Sequence, residues 1–300
     1  MSRIHEALKR AEQERAAAHS GGAAPPVPDN AGDGQGVAEE ASPLSGLDSP
    51  FAQFTLESLL SRCPRSAWTP DTKTMLFFGS EEPQGTEPFR TLRSRLYQLR
   101  EKLALKKLLV TSSLPREGKS FVAANLAQVL VRQQGRRVLL LDCDLRAARL
   151  HAALGTPASP GVSDYLLGKA DEFAITQQGP MENLFFIPSG RAVSDPAELV
   201  ANDRLKTLLN RMEVLFDWVI LDSPPAVPVS DAGLLAKYCD GVLLVVRSGT
   251  TPFDLARKAR DEFGDKNLGV VLNAMDSSSA YPPYYYGNYG RTNGRGEVKR

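Results

Sequence analysis

The sequence has few cysteines, no long apolar run and almost no net charge, and each absence excludes a class of protein. Its three cysteines are widely separated and form neither a disulfide framework nor a Cys-x-x-Cys pair, which suits a reducing cytoplasm. Apolar runs such as 138–141 are far shorter than the ~20 residues that cross a membrane. Lysine and arginine number 36 and aspartate and glutamate 35, so no overall charge attracts nucleic acid. We therefore expect a cytoplasmic protein without a nucleic-acid partner.

Both ends of the chain have the composition of extensions. Residues 1–17 carry apolar residues at helical spacing, which predicts an amphipathic helix that docks on a partner or a membrane face, or else a frayed terminal helix. Residues 18–50 are rich in Ala, Gly, Pro and Ser and predict a disordered, flexible linker. Residues 51–84 regain large apolar residues without a clear period and predict a partly ordered arm. Residues 276–300 predict a disordered, tyrosine-rich tail.

Between these extensions, residues 85–275 alternate apolar strands with helices. The predicted strands are 107–112, 137–142, 184–188, 216–222, 241–247 and 268–273, and the main predicted helices are 87–103, 119–134, 196–212 and 252–263. Strands that are apolar throughout and separated by helices indicate a parallel sheet covered on both faces. We therefore predict an α/β fold with a mostly parallel central sheet flanked by helices.

The strongest motif is a phosphate-binding loop between the first strand and the helix that follows it. Backbone N–H groups at a helix N-terminus and the helix dipole favour an anion there. Lys119 would reach the β and γ phosphates, and the Ser120 hydroxyl would coordinate Mg²⁺. The pattern departs from G-x-x-x-x-G-K-[ST] at its first position. The residues predicted to contact the nucleotide here are Ser113, Pro115, Arg116, Glu117, Gly118, Lys119, Ser120 and Phe121.

Three aspartates end two further strands. LLLDCDLR ends a strand with Asp142 and Asp144, and VILDSPP ends another with Asp222. Because ligands of open α/β sheets bind at the carboxyl ends of the strands, we expect these acids to lie near the phosphate loop. Three carboxylates there need a cation to stay ionised, and Mg²⁺ supplies it. Each aspartate alone could instead be a strand-end cap or a turn.

Together these motifs resemble a known family. SSLPREGKS, LLLDCDLR and VILDSPP are similar to the Walker A, A′ and B motifs of the bacterial tyrosine kinases (BY-kinases) of exopolysaccharide and capsule synthesis, which have a P-loop NTPase fold. The resemblance covers residues 87–273. Glu87, Arg90 and Arg93 read E-x-x-R-x-x-R, like the subunit-contact motif of that family, although a solvated helix face with ion pairs is the alternative. Asn273 resembles the adenine-contacting asparagine, or it caps its strand.

Two further segments strengthen the resemblance, and one residue departs from it. The N-terminal MSRIHEALKRAE and Trp68 resemble the exosortase-associated tyrosine autokinase variant. Arg116 stands where the family commonly has glycine, and it either stiffens the loop or brings another cation to the phosphates. The tail resembles an autophosphorylated tyrosine cluster, unless it is a low-complexity segment without chemistry. The tyrosines concerned are Tyr281, Tyr284, Tyr285, Tyr286 and Tyr289.

The resemblance implies an ATP-dependent protein-tyrosine autokinase with ATP and Mg²⁺ as cofactors. Lys119 and Mg²⁺ would carry the growing negative charge, and Asp142 would accept the phenol proton. Arg146 would bind phosphate or complete the site across a subunit contact. The residues implied to hold the metal are Ser120, Asp144 and Asp222.

The resemblance also implies partners. These are a separate transmembrane activator of the chain-length-determinant (polysaccharide co-polymerase) type, further copies of the chain in a ring, and a cognate phosphotyrosine phosphatase. The chain would be recruited to the inner face of the plasma membrane and phosphorylated in trans. Two alternatives stay open. One is a partition or cell-division positioning ATPase, whose signature lysine would replace Leu114, and the other is a catalytically weak ATP-binding scaffold.

Overall fold

The computed structural model describes residues 54–79 and 85–275. The predicted amphipathic helix at 1–17, the linker at 18–50 and the tyrosine-rich tail at 276–300 lie outside the described residues. The five tail tyrosines therefore stay a matter of prediction, whereas most of the arm and the whole α/β region can be compared with the sequence.

Within the described residues, seven strands form one sheet in the order β3-β4-β2-β5-β1-β6-β7. Every neighbouring pair is parallel except β3 and β4, so the predicted mostly parallel sheet is confirmed. All six predicted strands are present, and the short strand β3 was not predicted. The strands are β1 Lys107–Ser112, β2 Val138–Asp142, β3 Gln177–Gln178, β4 Leu184–Ile187, β5 Trp218–Asp222, β6 Gly241–Arg247 and β7 Asn267–Asn273.

Helices precede, connect and cover these strands. They are α1 Leu56–Arg62, α2 Thr86–Arg100, α3 Lys119–Val131, α4 Leu150–Leu154, α5 Val162–Leu166, α6 Glu172–Ile175, α7 Pro196–Val200, α8 Asp203–Leu215, α9 Asp231–Ala236 and α10 Phe253–Phe263. The predicted single helix at 196–212 was wrong, because the structure has two helices there. The Asn202 side chain accepts a hydrogen bond from the Arg204 N–H at 3.0 Å and so starts α8 as its N-cap.

The sheet is buried on both faces, which explains why its strands are apolar throughout. In β2, Leu139 and Leu141 belong to one core cluster with residues of α8, whereas Leu140 belongs to the other cluster with residues of α3. Alternate side chains of a strand point to opposite faces, so a strand covered on both sides needs apolar residues at every position. Because β2, β5 and β1 are adjacent and parallel, their carboxyl ends lie together at one edge of the sheet.

Residues 71–79, here called the strap, contact α3, the helix that follows the phosphate loop. The Leu76 N–H donates to Asn125 Oδ1 at 2.8 Å, and the Phe77 N–H donates to Gln128 Oε1 at 3.1 Å. Asn125 Nδ2 in turn donates to the Thr74 carbonyl oxygen at 2.8 Å. The strap is therefore bonded to α3 through buried amide side chains.

Trp68 lies just before the strap and packs on the domain. Its ring meets the ring of Phe186, in β4, edge-on with centroids 6.2 Å apart. A Cβ on Gly179 would lie 2.5 Å from the Trp68 ring, so only glycine leaves room for it. The arm from residue 54 onward thus contributes side chains to the core.

Candidate functional site

The phosphate loop depends on a glycine at the start of α3. Gly118 has φ +96°, a left-handed conformation that favours glycine. A Cβ at this position would lie 2.0 Å from Nδ2 of Asn273, which itself donates to the Glu117 carbonyl oxygen at 2.8 Å. Asn273, at the end of β7, therefore contacts the backbone of the phosphate loop. Its contact with adenine stays a prediction.

The tip of the loop is exposed and its base is buried. Pro115 and Arg116 are exposed, and Arg116 has φ +67°, a left-handed backbone conformation that favours glycine. The carboxylate of Glu117 is buried and accepts hydrogen bonds from the Leu114 N–H at 2.8 Å and from the Thr251 hydroxyl. This carboxylate therefore has partners of its own within the loop and in the segment after β6.

Ser113 and Phe121 lie at the two ends of the segment predicted to contact the nucleotide, and they differ in which of their atoms can contact it. Ser113 is fully buried, and its Oγ has no hydrogen-bond partner among the described residues. The Phe121 ring packs edge-on against Phe89 of α2, with centroids 5.7 Å apart. The backbone of Phe121, and not its ring, is therefore the part available to a phosphate at the helix N-terminus.

The structure brings the predicted lysine, hydroxyl and acids together. Lys119 Nζ lies 2.8 Å from Asp144 Oδ2 and 4.0 Å from Asp222 Oδ1. The Ser120 hydroxyl donates to Asp222 Oδ2 at 2.5 Å. Asp142 accepts from the backbone N–H of Asp144 at 3.2 Å. All three aspartates are buried, with at most 3% of their surface exposed, so their charges act in a medium of low polarity.

Burial and mutual repulsion shift the pKa values of these groups. Burial, reinforced by the Asp222 charge, raises the pKa of Asp142 to about 8, and the Leu150 N–H offsets part of this. Burial also raises the pKa of Asp222 to about 6, although Lys119 and Ser120 lower it. Burial disfavours the charged form of Lys119, yet Asp222 and Asp144 hold its pKa above the ordinary value. One lysine therefore does not balance the three acids.

This negative surplus fits a hard divalent cation. Asp222 Oδ1 is buried without a hydrogen-bond donor in the described part of the chain. Residues 54–79 and 85–275 contain no group of three or more His, Cys, Asp or Glu arranged to hold a metal by itself. Mg²⁺ is usually bound by one or two carboxylates together with phosphate oxygens and water. The Ser120 hydroxyl and the aspartates fit this kind of coordination, and they do not form a metal site made of protein ligands alone.

Arg146 has a partner that the sequence did not reveal. Its Nε and Nη2 donate to Asp231 Oδ2 and Oδ1 at 2.8 and 2.9 Å, a bidentate pair. Asp231 is 1% exposed and begins α9, a short helix that was not predicted. The available signal was an acid directly after VPVS, which follows the strand that carries Asp222, and it is too weak to identify a partner.

The predicted subunit-contact residues make contacts within their own chain. Glu87 and Arg90 form an ion pair one turn apart on α2. Arg93 Nη1 donates to the Val129 carbonyl oxygen at 3.1 Å, close to the C-terminus of α3, where carbonyls lack helical partners. The Glu87–Arg90 pair matches the alternative of a helix face with ion pairs, whereas the Arg93 bond to a backbone carbonyl does not, and the subunit contact stays a prediction. As for a membrane span, none of the helices in the described ranges combines the necessary length and apolar character.

Known protein sequences resemble this chain over most of the α/β region. A family profile described as "AAA domain" matches residues 117–251. Tyrosine-protein kinase YwqD of Bacillus subtilis is 35% identical over 205 residues, which cover 67% of this chain and 86% of the relative. Putative tyrosine-protein kinase CapB of Staphylococcus aureus is 31% identical, with 69% and 93% covered. Tyrosine-protein kinase wzc of Salmonella typhimurium is 31% identical over 72% of this chain, which spans only 30% of that longer relative.

Solved structures give the same picture. The kinase domain of Escherichia coli tyrosine kinase ETK has a TM-score of 0.59 at 28% identity and covers 66% of this chain and 80% of that domain. The chimerical protein CapA2B2 has a TM-score of 0.64 at 29% identity, with 74% and 99% covered. The likeness therefore extends from the motifs to the arrangement of the sheet and helices.

Proposed function

Because this chain belongs to the bacterial tyrosine-protein kinases, which use ATP through a P-loop fold, we propose that it phosphorylates the tyrosines of its own tail. The observation that carries the proposal is the meeting of Lys119, Ser120 and three buried aspartates at the N-terminus of α3. The acceptors would be Tyr281, Tyr284, Tyr285, Tyr286 and Tyr289.

Binding of ATP would redistribute the contacts of the phosphate loop. The loop amides and Lys119 would hold the phosphates, so the ammonium group would shift part of its interaction from Asp144 to the nucleotide. Mg²⁺, held by Ser120, Asp144 and Asp222, would neutralise phosphate charge in the transition state. Excess negative charge at this edge of the sheet supports this assignment, because a cation would remove the repulsion between the acids.

Asp142 is the acid best suited to accept the phenol proton. Its two oxygens accept N–H groups from Asp144 and Leu150, which fixes the carboxylate in place. Burial raises its pKa to about 8, and a general base works best when its pKa lies near the operating pH. Asp144 and Asp222 contact Lys119 or Ser120 instead, which supports their separate assignment to the metal.

The wider biological setting rests on the family resemblance. We propose that copies of the chain assemble in a ring through α2, so that the tail of one copy reaches the site of its neighbour. Phosphotyrosine, with a charge of about −1.5 to −2, would then loosen the ring by repulsion. A transmembrane co-polymerase would recruit the chain to the inner face of the plasma membrane, a phosphatase would reset the tail, and the cycle would regulate exopolysaccharide synthesis.

The full chain, purified and incubated with ATP and Mg²⁺, provides the test. We expect phosphotyrosine in the wild type, and none in Lys119→Met, in a chain truncated after Asp276, or with EDTA present. Lys206→Met removes an exposed lysine of α8 and is the matched control that should keep the signal. ATP hydrolysis without phosphotyrosine would instead support a positioning ATPase, and nucleotide binding with neither product would support a scaffold.

A further inference from the structure

A buried carboxylate joins the two segments that follow the acid-bearing strands. Asp231 lies nine positions after Asp222 in the chain, and Arg146 lies two positions after Asp144. The two-pronged contact between them, at 2.8 and 2.9 Å, therefore ties the segment after β5 to the segment after β2. Asp231 is 1% exposed, whereas 39% of the Arg146 side chain is exposed, so the carboxylate is fixed in the core and the arginine side chain reaches the protein surface.

The guanidinium lies within electrostatic reach of the reacting edge. The hydrogen bonds that Arg146 donates to Asp231 are the main reason that its pKa is raised, and the charges of Asp231, Asp195 and Asp144 add to it. Asp144 in turn contacts Lys119 Nζ at 2.8 Å. Arg146 therefore lies two positions along the chain from the acid that contacts the phosphate-binding lysine, and it feels the charge of that acid.

The bidentate contact leaves part of the guanidinium for a ligand. A guanidinium has five N–H donors in a rigid fork. Two of them go to Asp231, and the Arg146 side chain donates to no other residue within 54–79 and 85–275. Because a planar fork held at one edge cannot rotate freely, its remaining donors have a fixed direction. Fixed donors stabilise a transition state better than mobile ones, since they need no reorganisation during the reaction.

We propose that Asp231 is a positioning residue for phosphoryl transfer, because it holds Arg146 so that the remaining guanidinium N–H groups donate to the phosphoryl group in transit. This inference rests on the proposed kinase function. The phenolic oxygen forms a bond to the γ-phosphorus, the bond from that phosphorus to the β–γ bridging oxygen breaks, and ADP leaves. The phenol proton goes to Asp142, and neither Arg146 nor Asp231 gains or loses a proton.

The competing explanation is a purely structural clasp between two loops. A clasp would affect folding and nucleotide binding together, whereas a positioning residue affects the rate of transfer and spares the affinity for nucleotide. Asp231→Asn keeps the shape of the side chain but removes its charge and one acceptor, so it separates these two roles. Asp231→Glu restores the charge, and Arg146→Lys tests the other partner at an exposed position.

The test uses the full chain and measures four quantities: the rate of phosphotyrosine formation at saturating Mg-ATP, the KM for ATP, the affinity for a fluorescent ADP analogue, and Tm. For Asp231→Asn we expect a rate about tenfold to a hundredfold lower, with the KM for ATP and the ADP affinity within about twofold of wild type. Asp231→Glu should recover part of the rate. Arg146→Lys should lose as much as Asp231→Asn, and the double variant no more than either, because the two residues act as a unit.

Asp217→Asn is the matched control, because it breaks another aspartate–arginine pair, Arg136 with Asp217 at 2.9 Å, at the opposite end of β5. Its rate should stay at the wild-type value. An unchanged rate in Asp231→Asn, or a rate that falls only in proportion to the ADP affinity or Tm, would overturn the inference while the kinase function stands. A wild-type chain that makes no phosphotyrosine would overturn both.

Discussion

Two sets of buried polar groups surround α3, and they differ in whether their partners are complete. In the middle of the helix, the amides of Asn125 and Gln128 are fully buried and hydrogen-bonded to the backbone of the strap. At its N-terminus, three buried acids face the single ammonium group of Lys119, and Asp222 Oδ1 has no donor within the described ranges.

Whether the partners are complete distinguishes polar groups that stabilise the fold from polar groups that bind a ligand. Buried polar groups in native proteins are almost always paired, so a complete set such as the strap contact stabilises the structure by itself. Buried charges without enough partners are unfavourable, and they cluster where a ligand or a cation completes them. The surplus of acid at the sheet edge, more than any single motif, marks the site.

The largest effect is expected at the phosphate loop. Gly118→Ala places a Cβ 2.0 Å from Asn273 Nδ2 at a backbone φ of +96°, so the loop must move. Left-handed backbone disfavours alanine by about 1–2 kcal/mol even without a contact. We expect the affinity for ATP to fall by at least about tenfold, which corresponds to about 1.4 kcal/mol, as measured by calorimetry.

Gly135 offers the control for this change. It has φ +74°, yet nothing lies within 4 Å of an added Cβ. Gly135→Ala should therefore lower Tm through backbone strain while the affinity for ATP stays unchanged. If both alanines weakened ATP binding equally, the contact between Asn273 and the loop would have no part in nucleotide binding.

The second largest effect is expected on stability, when an amide that is hydrogen-bonded to the strap is removed. Asn125→Ala leaves the buried Leu76 N–H and the half-buried Thr74 carbonyl without these partners. Each unpaired group costs about 1–3 kcal/mol, so we expect the free energy of unfolding to fall by at least about 2 kcal/mol in urea titrations. Below its lower Tm the variant should still make phosphotyrosine.

Asn210→Ala, on the exposed side of α8, is the matched control and should change the stability by less than about 0.5 kcal/mol. If Asn125→Ala kept full stability but lost phosphotyrosine formation, the assignment of the strap contact to the fold would be wrong. The contact would then serve the function.

The site was easier to predict than the parts of the fold around it. Strand ends and the phosphate loop are local patterns, and the parallel sheet brings them together, so Lys119 and Asp222 could be placed from sequence. The strap could not, since its order comes from side chains about fifty positions away, as in the bond from Leu76 to Asn125. Asp231 was missed for the same reason, because its pairing with Arg146 depends on how two loops meet.

The third effect concerns pH and tests the surplus of acid directly. The pKa values of Asp142 and Asp222 are raised to about 8 and about 6, whereas the unfolded chain ionises such groups near about 4. Between those values the folded chain binds more protons than the unfolded chain, so its stability falls as pH rises. We expect the Tm of the nucleotide-free protein to fall between about pH 6 and 8, and Mg-ATP to reduce that fall.

Two variants show whether the acids cause this slope. Asp142→Asn should flatten the fall in Tm near pH 8, because it removes the group that ionises there. Asp217→Asn should leave it unchanged, because hydrogen bonds from Arg137 and Arg136 outweigh burial and lower the pKa of Asp217, which puts its titration at a far lower pH. If Tm fell equally with pH in the wild type and in both variants, ionisation of the buried acids would not cause the fall.

The smallest effect on stability is expected at a half-exposed ion pair in which one positive charge meets one negative charge. Arg62, near the start of the arm, pairs with Asp171 at 3.1 Å, and both side chains are half exposed. Its guanidinium also lies 3.7 Å from the centre of the Phe173 ring. Exposed ion pairs contribute about 0.2–1 kcal/mol and exposed cation–π contacts about 0.5–1 kcal/mol. Arg62→Ala should therefore lower the free energy of unfolding by about 1 kcal/mol and leave phosphotyrosine formation unchanged.

High salt provides the control for this change. Since salt screens the exposed ion pair, high salt should reduce the difference in stability between Arg62→Ala and the wild type. Salt should not restore the stability of Asn125→Ala, because that variant loses neutral hydrogen bonds.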